Sequence, residues 1–451
     1  MSGPFVVVGG DAAGMSAASK ARREYPDLDI VVFEKGEWVS YGACGLPYYV
    51  KGEIDDLSDL VSVTAEEFRT ERDIDLRTNH EVTAVDPEEK TVTVETEGET
   101  FDQPYETLLI ATGAHAIVPP IDGVELSGIH TLHSLPAGKA IRETLEDVDQ
   151  RPETVGIVGG GYVGIEMAEA FRGRDVDVHL FEMLPHVLQP FGEMVAETVE
   201  AELRDHDVTL HLGTEVDGFD GEESVSGIRT DEGTVPVDMV LLGVGVAPNV
   251  ELAREAGIEI GDTGAIASDE YGRTSDPSVF AAGDCAEMNH VVTGEPDYVP
   301  LALTANRAGR AIGRTVTGTN TPVGEIAGTA AVKAFDLQAA RTGILDESRA
   351  REAGFDPVSA TITSASRAGY YPGGSPVKIK LVGDRDTENV LGASMVGEEG
   401  IAKRVDTIAT ALHSDLTVSD VEYLDLSYAP PFGPTWDPVL TAAKVLSGKI
   451  E

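Results

Sequence analysis

The segment FVVVGGDAAGMSAASKARREYPDLDIVVFEK, residues 5–35, contains a short apolar strand, a glycine-rich turn, an alanine-rich helix and a second apolar strand. A second segment of the same design, TVGIVGGGYVGIEMAEAFRGRDVDVHLFEM, covers residues 154–183. Each segment has the pattern of a βαβ unit, in which the turn joins a strand to the start of a helix. Two such units in register predict an α/β protein that contains a duplicated domain.

The second unit carries the dinucleotide-binding fingerprint at Gly159, Gly161 and Gly164. These glycines provide a tight turn, close backbone approach to a pyrophosphate, and a helix N-terminus that faces the anion. The first unit keeps Gly9 and Gly14 but has Asp11 at the middle position. We therefore expect a dinucleotide at both turns, with an adjusted backbone approach at the first.

The segments that follow the two βαβ units are also similar to each other. ETLLIATGA at 106–114 and VDMVLLGVGVAPN at 237–249 are apolar strands that run into glycine turns, and alternating hairpin-like segments precede both. A further strand, in TSDPSVFAAGDCAEM at 274–288, ends at Gly283 and Asp284. An acidic side chain at such a strand end is suited to accept hydrogen bonds from ribose or ribityl hydroxyls.

The charge of the chain is strongly one-sided. Its 451 residues include 79 acidic and 33 basic residues, for a formal net charge of −46. Self-repulsion of this size weakens a compact state unless salt screens it, and it opposes general binding to nucleic acid. The composition predicts a halophilic protein of a high-salt cytoplasm.

The two cysteines, Cys44 and Cys285, are too few for a disulfide framework or a zinc cluster. No apolar run reaches the roughly 20 residues that a membrane span requires. The N-terminus resembles a strand and not a signal peptide. We therefore expect a cytoplasmic protein that binds neither membrane nor nucleic acid.

Taken together, the first βαβ unit, the ATG segment, the clean second fingerprint and the AAGD segment resemble the flavoprotein disulfide reductases with two dinucleotide domains. The resemblance implies two Rossmann-like domains, one for FAD and one for NADH or NADPH, and a C-terminal α+β dimerisation domain. The implied FAD domain consists of residues 1–114 and 250–325. The implied NAD(P)H domain covers 115–249, and the dimerisation domain covers 326–451. The FAD side would use Gly9, Gly14, Glu34 at the adenosine ribose, Thr112, Gly113, Gly283 and Asp284 at the ribityl chain.

The single cysteine near the first unit restricts the resemblance to one branch of this family. SYGACGLPYYVKG, residues 40–52, resembles the single-cysteine branch that contains coenzyme A disulfide reductases, NADH oxidases and peroxidases, and its GLPYY tail is similar to the reductases. The asparagine that commonly precedes the cysteine is replaced by Ala43. The oxidases and peroxidases carry a histidine in the first glycine loop, whereas this chain has Asp11. The departure favours a disulfide as the substrate of Cys44.

A lone thiol next to a flavin can accept two electrons only when it is already oxidised, as a mixed disulfide or as a sulfenic acid. The main interpretation is a homodimer that uses NADH or NADPH to reduce coenzyme A disulfide through a Cys44–coenzyme A mixed disulfide. One alternative is an NADH oxidase or peroxidase that cycles Cys44 through sulfenic acid. The other is a flavin electron-transfer or sensing protein in which Cys44 is structural.

The resemblance also implies a substrate channel near the first helix. Its candidate residues carry cations or small polar groups: Lys20, Arg22, Arg23, Ser16, Ser40 and Asn306. The three cations fit phosphate groups, or alternatively form a solvated helix face.

Proton donors are expected from tyrosines of the partner subunit, since no histidine lies in the matching C-terminal stretch. The candidates are Tyr428 and one of Tyr370 and Tyr371, with Tyr370 preferred; packing roles are the alternative. Glu182 is expected to accept the 2′-hydroxyl of NADH, although His179 and His186 lie near enough in sequence to accept a phosphate. Cys285 is expected to be a small buried residue.

Overall fold

The structure is a computed structural model that describes residues 3–149 and 151–450. The chain first builds a domain that it leaves after residue 110 and completes later. The elements of this first part are β1 (Phe5–Val8), α1 (Ala12–Glu24), β2 (Ile30–Glu34), α2 (Leu46–Lys51), α3 (Ala65–Thr70), β3 (Asp75–Thr78), β4 (Glu81–Asp86), β5 (Thr91–Glu95), β6 (Thr100–Pro104) and β7 (Thr107–Ile110).

The second domain is inserted next. Its elements, with the linking strands at its two ends, are β8 (Ala114–Ala116), β9 (Ile129–Thr131), α4 (Leu135–Glu146), β10 (Thr154–Val158), α5 (Tyr162–Arg172), β11 (Asp177–Glu182), α6 (Glu193–Asp205), β12 (Val208–Leu212), β13 (Val216–Gly221), β14 (Val225–Thr230), β15 (Gly233–Pro236), β16 (Met239–Leu242) and β17 (Val246–Pro248). Strands β8 and β17 pair with each other where the chain enters and leaves the insertion.

The chain then returns to the first domain and continues into a third. The returning elements are α7 (Glu251–Glu255), β18 (Val279–Ala281), β19 (Met288–Asn289), β20 (Pro296–Asp297) and α8 (Ala302–Thr315). The third domain contains β21 (Ala330–Ala334), β22 (Leu337–Gly343), α9 (Glu347–Glu352), β23 (Pro357–Ala365), β24 (Pro376–Asp384), β25 (Val390–Gly397), α10 (Ile401–Leu412), α11 (Val418–Glu422) and α12 (Pro438–Ile450).

The first two domains have the same sheet topology. The first sheet has the order β3-β2-β1-β7-β18 and the second β12-β11-β10-β16-β9, and the neighbours in both are parallel. Each domain also carries a three-stranded antiparallel sheet, β4-β5-β6 or β13-β14-β15. The predicted duplication and α/β class are therefore confirmed, and each glycine turn lies at the carboxyl end of its central strand.

The third domain has a different design, as the sequence predicted. Its antiparallel sheet has the order β21-β22-β25-β24-β23, and the hairpin expected from PVKIKLVGD and NVLGASMVG is the β24–β25 pair. The helix expected in GIAKRVDTIATALHSD is α10. Its buried residues Ile401, Val405 and Ile408 recur every three to four positions and join one core with the sheet and α12.

Helices α1 and α8 cross closely because α8 is glycine-rich on the contact side. A Cβ atom at Gly309 would lie 2.1 Å from the carbonyl oxygen of Ala13, and one at Gly313 would lie 2.5 Å from that of Ala17. This close contact fixes the direction in which α1 leaves the first glycine turn. No helix among the residues described is both long enough and apolar enough to cross a membrane.

Candidate functional site

The first glycine turn is held in a conformation that only glycine fits. Gly9 has φ +109°, and a Cβ atom there would lie 2.1 Å from the carbonyl oxygen of Ala111. Glu34, at the end of β2, accepts hydrogen bonds from the amide of Gly10 at 2.8 Å and from that of Gly36 at 2.7 Å. The carboxylate therefore lies against the turn, where an adenosine ribose would reach it.

The second turn repeats this geometry. Gly159 has φ +106°, and a Cβ atom there would lie 2.4 Å from the carbonyl oxygen of Gly243. Glu182 accepts hydrogen bonds from the amides of Gly160, at 2.8 Å, and Leu184, at 2.9 Å. The two predicted ribose-binding carboxylates thus occupy equivalent positions in the two domains.

The middle position of the fingerprint explains how Asp11 fits the first turn. At Gly161, its counterpart, a Cβ atom would meet no atom within 4 Å, so a side chain has room there. The Asp11 carboxylate accepts a hydrogen bond from the Tyr41 amide at 3.1 Å, and burial raises its pKa to about 6. Asp11 therefore links the first turn to the segment that carries Cys44.

A cavity of about 2210 Å³ runs past both turns and includes Cys44, Thr112, Gly113 and Asp284 in its wall. Among the described side chains and backbone groups, none donates a hydrogen bond to the Asp284 carboxylate, and burial raises its pKa to about 6. A half-buried acceptor that faces a long cavity fits the hydroxyl groups of a flavin dinucleotide. The residues present fit FAD at the first turn and NADH or NADPH at the second.

Cys44 lies in a short 3₁₀ turn, Ala43–Gly45, directly before α2. Its thiol is exposed to the cavity, but the surrounding protein still desolvates the sulfur in part. This desolvation raises the pKa of Cys44, and the carboxylates of Glu166 and Asp284 raise it further. Glu166 was missed in the sequence, where its position two residues after Gly164 in the nucleotide-binding helix was the available signal.

The predicted substrate-channel residues are partly brought together. Ser16 donates a hydrogen bond to Asn306 at 2.6 Å across the α1–α8 contact. Lys20 pairs with Glu24, and Arg22 is turned to the carbonyl oxygens of Pro26 and Asp73.

Arg23 and Ser40 complete that set. Arg23 is exposed at the end of α1. Ser40 has φ +50°, and its amide donates to the Gly10 carbonyl oxygen at 3.1 Å. Of the described residues that line the cavity, none belongs to the predicted channel set, so the channel stays a prediction.

The two tyrosines preferred in the sequence are in contact. The hydroxyl groups of Tyr370 and Tyr428 lie 2.6 Å apart on the surface of the third domain. The hydrogen bond from Tyr370 lowers the pKa of Tyr428, because it stabilises the phenolate. Tyr371 instead stacks near Arg367, with the guanidinium 5.9 Å from its ring centroid. The pair does not line the Cys44 cavity of its own chain.

Three further residues occupy structural positions. Cys285 is fully buried in the first domain, as expected. His179 contacts His211 at 3.0 Å, and His186 contacts the buried Glu200 at 3.0 Å. Both histidines therefore have partners away from the Glu182 carboxylate.

Two glycine turns on duplicated parallel sheets, with one thiol in the wall of their common cavity, are the features of a pyridine-nucleotide flavoprotein. A family model described as pyridine nucleotide-disulphide oxidoreductase matches residues 3–309, and the dimerisation domain of that family matches residues 329–438. The chain belongs to this family, whose members are flavoproteins that use NADH or NADPH.

Similar proteins cover the whole chain. The NAD(P)H coenzyme A polysulfide/persulfide reductase of Pyrococcus horikoshii is 40% identical over 447 residues, 99% of both chains. The coenzyme A disulfide reductase of Staphylococcus aureus is 30% identical over 432 residues, 95% of this chain and 96% of the relative. The structure of an NAD-dependent persulfide reductase from A. fulgidus has TM-score 0.95 and 38% identity, covering 99% of this chain and 83% of that one. Two proteins named NADH oxidases also match, at 33% and 30% identity.

Proposed function

We propose that this protein is a homodimeric FAD enzyme that reduces coenzyme A disulfide with NADH. The observation that carries the proposal is the placement of one exposed thiol, Cys44, in the cavity that both glycine turns share. The other cysteine, Cys285, is fully buried, so an internal dithiol cannot form at this site. The names of the Pyrococcus and Staphylococcus relatives supply the substrate class.

The overall reaction is NADH + H⁺ + coenzyme A disulfide → NAD⁺ + two coenzyme A thiols. When bound, FAD accepts a hydride from the reduced nicotinamide and supplies two electrons to a disulfide. Cys44 as thiolate attacks one sulfur of the substrate, the S–S bond breaks, and one coenzyme A leaves as thiolate. Two-electron reduction of the resulting Cys44–coenzyme A disulfide releases the second coenzyme A and restores the Cys44 thiolate.

The released thiolates need protons, and the tyrosine pair is suited to supply them. A lowered pKa makes Tyr428 a better acid than a free tyrosine, and Tyr370 fixes its hydroxyl. Since this pair lies outside the cavity of its own chain, we assign it to the Cys44 site of the partner subunit in a homodimer. The exposed aromatic side chains near the pair, Phe432 at 81% and Trp436 at 51% exposure, suit such an interface.

The coenzyme A phosphates are assigned to the α1–α8 surface. Arg23 on α1 and Arg310 on α8 are both exposed there, and Lys20 lies against α8 at Gly313, whereas Arg22 is turned away to the carbonyl oxygens of Pro26 and Asp73. Ser16 and Asn306 lie between the helices as neutral hydrogen-bonding groups. In a chain with net charge −46, cations clustered on two packed helices favour a polyanionic ligand.

NADH is the proposed electron donor because of Glu182. Its carboxylate lies at the turn, where it accepts a ribose 2′-hydroxyl and repels a 2′-phosphate. We expect at least a tenfold higher kcat/KM for NADH than for NADPH at equal salt. A clear preference for NADPH would contradict this assignment and leave the disulfide chemistry in place.

Mass spectrometry of the protein purified without reductant tests the main proposal. A coenzyme A adduct on Cys44 is expected, and Cys44→Ser should lose disulfide reduction by at least about a thousandfold while keeping its flavin. Cys285→Ala is the matched control and should retain activity. Full disulfide reduction by Cys44→Ser would overturn the proposal in favour of a structural cysteine.

An NADH oxidase is the second candidate, because oxidases occur among the relatives. Consumption of one O₂ for every two NADH oxidised, without release of thiol, would select an oxidase that cycles Cys44 through sulfenic acid. Release of two thiols per NADH selects the proposed reaction. Hydrogen sulfide release from a coenzyme A persulfide, faster than disulfide reduction, would move the substrate to the persulfide.

A further inference from the structure

Arg341, on strand β22 of the third domain, lines the cavity that both glycine turns share. Its Nε donates a hydrogen bond to the Tyr162 hydroxyl at 3.3 Å, and its guanidinium lies 5.9 Å from the ring centroid of Phe191. The Tyr162 ring packs edge-on against the same buried phenylalanine, with 5.4 Å between the ring centroids. Two aromatic side chains of the second domain therefore hold this guanidinium in place.

The terminal nitrogens of Arg341 have neither an acceptor nor a counter-ion among the residues that the structure describes, although the side chain is half-buried. Two other half-buried arginines of the third domain, Arg367 and Arg404, pair with the carboxylates of Glu399 and Asp437. The chain contains 79 acidic residues, so a shortage of carboxylates does not explain the difference. Since desolvation of an unpaired charge costs free energy, the charge of Arg341 is available to a ligand in the cavity.

The nicotinamide half of a nucleotide bound at the second turn is expected to lie beside this guanidinium. The diphosphate would lie at the start of α5, of which Tyr162 is the first residue. The nicotinamide must reach the flavin of the first domain, because hydride transfer needs reacting atoms about 3–3.5 Å apart. Arg341 lies between these two places: a Cβ atom at Gly328 would lie 3.8 Å from one of its terminal nitrogens and 3.9 Å from a methyl group of Val299, a first-domain residue in the cavity wall. The three domains meet around this charge.

NADH and NAD⁺ differ by one positive charge on the nicotinamide ring. When NADH gives up its hydride, the neutral dihydropyridine ring becomes a pyridinium cation. Two like charges repel each other strongly at short range where water is partly excluded. A fixed cation beside this ring therefore weakens the binding of NAD⁺ relative to that of NADH.

We propose that Arg341 distinguishes the two redox states of the nucleotide: its guanidinium repels the pyridinium ring of NAD⁺ and so promotes release of the oxidised product. Tyr162 and Phe191 hold the charge at the nicotinamide end of the cavity. The net charge of −46 attracts a pyridinium to the protein as a whole, and Arg341 opposes this attraction at the site. The proposal rests on the reduced nicotinamide as electron donor of the proposed function and is independent of which disulfide is reduced.

Isothermal titration calorimetry of the oxidised, flavin-loaded protein at constant high salt tests this proposal. The two ligands are NAD⁺ and tetrahydro-NAD, a redox-inert analogue whose nicotinamide ring is neutral. In Arg341→Gln, the ratio of the Kd for NAD⁺ to the Kd for the analogue should fall roughly three- to tenfold, because NAD⁺ binds more tightly. Arg341→Met, which keeps an apolar stem against Phe191, should show the same fall.

Two control variants separate the charge from other effects. Arg341→Lys keeps a positive charge but loses the planar fork, and it should keep most of the wild-type ratio. Arg351→Gln removes an exposed arginine of α9 that pairs with Glu347 at 2.9 Å and does not line the cavity. It should leave both dissociation constants unchanged. Flavin absorbance reports whether each variant remains loaded.

Equal weakening of both nucleotides in Arg341→Gln and Arg341→Met would mean that the guanidinium pairs with a phosphate group, and it would overturn the proposal. Unchanged constants in both variants would also overturn it, since Arg341 would then lie apart from the nicotinamide. If neither variant retains flavin, Tyr162→Phe decides: it removes the hydrogen bond that orients the guanidinium, so the ratio should fall by a smaller factor, and an unchanged ratio contradicts the proposal. A wild type that fails to reduce coenzyme A disulfide would contradict the proposed function but would leave these binding constants interpretable.

Discussion

At the scale of single residues, the most informative side chains are carboxylates and tyrosines that differ in the hydrogen-bond partners around them. Glu34 and Glu182 each accept two backbone amides at 2.7–2.9 Å. Asp284 accepts none from the described residues, and burial raises its pKa. The first two carboxylates thus help to shape their turns, in addition to the ribose binding proposed for them. The Asp284 carboxylate is instead proposed to accept its hydrogen bonds from the ligand alone.

Tyr428→Phe is predicted to lower kcat for disulfide reduction about 10- to 1000-fold, because the acid that protonates the leaving thiolate is lost. A general acid must be protonated, so wild-type activity falls as pH rises through the lowered pKa of Tyr428. Tyr370→Phe removes the hydrogen bond that lowers this pKa. Its alkaline limb should therefore move to higher pH, and pH profiles of kcat measure the shift.

Tyr371→Phe is the matched comparison, since it removes a neighbouring hydroxyl that does not contact Tyr428. It should keep the wild-type kcat and profile. Unchanged kcat in Tyr428→Phe would mean that the tyrosine pair packs at an interface without donating a proton. A loss in Tyr371→Phe instead of Tyr370→Phe would move the assignment by one residue.

At the scale of elements, the geometry of α1 depends on its crossing with α8. Gly309→Ala would favour the helix by up to about 1 kcal/mol in propensity, but its Cβ atom would lie 2.1 Å from the Ala13 carbonyl oxygen. The backbones must separate, which costs roughly 1–3 kcal/mol. We predict net destabilisation and weaker flavin retention, because α1 begins at the first glycine turn. Thermal unfolding followed by flavin fluorescence measures both effects.

Gly448→Ala in α12 is the control for this prediction. A Cβ atom there meets nothing within 4 Å, so the change should leave stability unchanged or raise it by up to about 1 kcal/mol. If Gly309→Ala were as stable as Gly448→Ala, the close crossing would not be needed for the flavin domain.

The same scale shows which parts of the fold the sequence predicts. The βαβ units, the β24–β25 hairpin and α10 follow from local periodicity and turn chemistry, because each buries one face of a regular pattern. The contact between α2 and α5 does not follow in this way. Its partners Tyr48 and Glu166, whose side chains form a hydrogen bond of 3.1 Å, are 118 positions apart and meet only through the packing of two domains. The partners of Lys20 and Arg22 could not be predicted for the same reason. Their spacing predicts a cationic helix, but only the structure shows that Lys20 pairs with Glu24. It also shows that Arg22 donates to the carbonyl oxygens of Pro26 and Asp73.

At the scale of the whole molecule, the dominant property is the net charge of −46. The charge is a property of the surface, because the cores of all three domains are built from apolar side chains such as Phe5, Phe181 and Ile379. A dimer would bring two such surfaces together and double the charge of the particle. Salt that screens the repulsion between these acidic surfaces should therefore favour both folding and dimer formation.

Salt is predicted to raise the thermal stability of the holoenzyme steeply between 0.1 and 1 M KCl and only weakly above that range. The screening length falls from about 10 Å to about 3 Å over this interval, so most repulsion between exposed carboxylates is removed before 1 M. Sucrose at matched osmolarity is the control, because it is excluded from protein surfaces but does not screen charge. Thermal unfolding and light scattering report stability and dimer content. A melting temperature that does not change across this range, or that sucrose raises as much as KCl does, would show that the acidic surface is tolerated without screening. Either result would contradict the prediction of a high-salt cytoplasm.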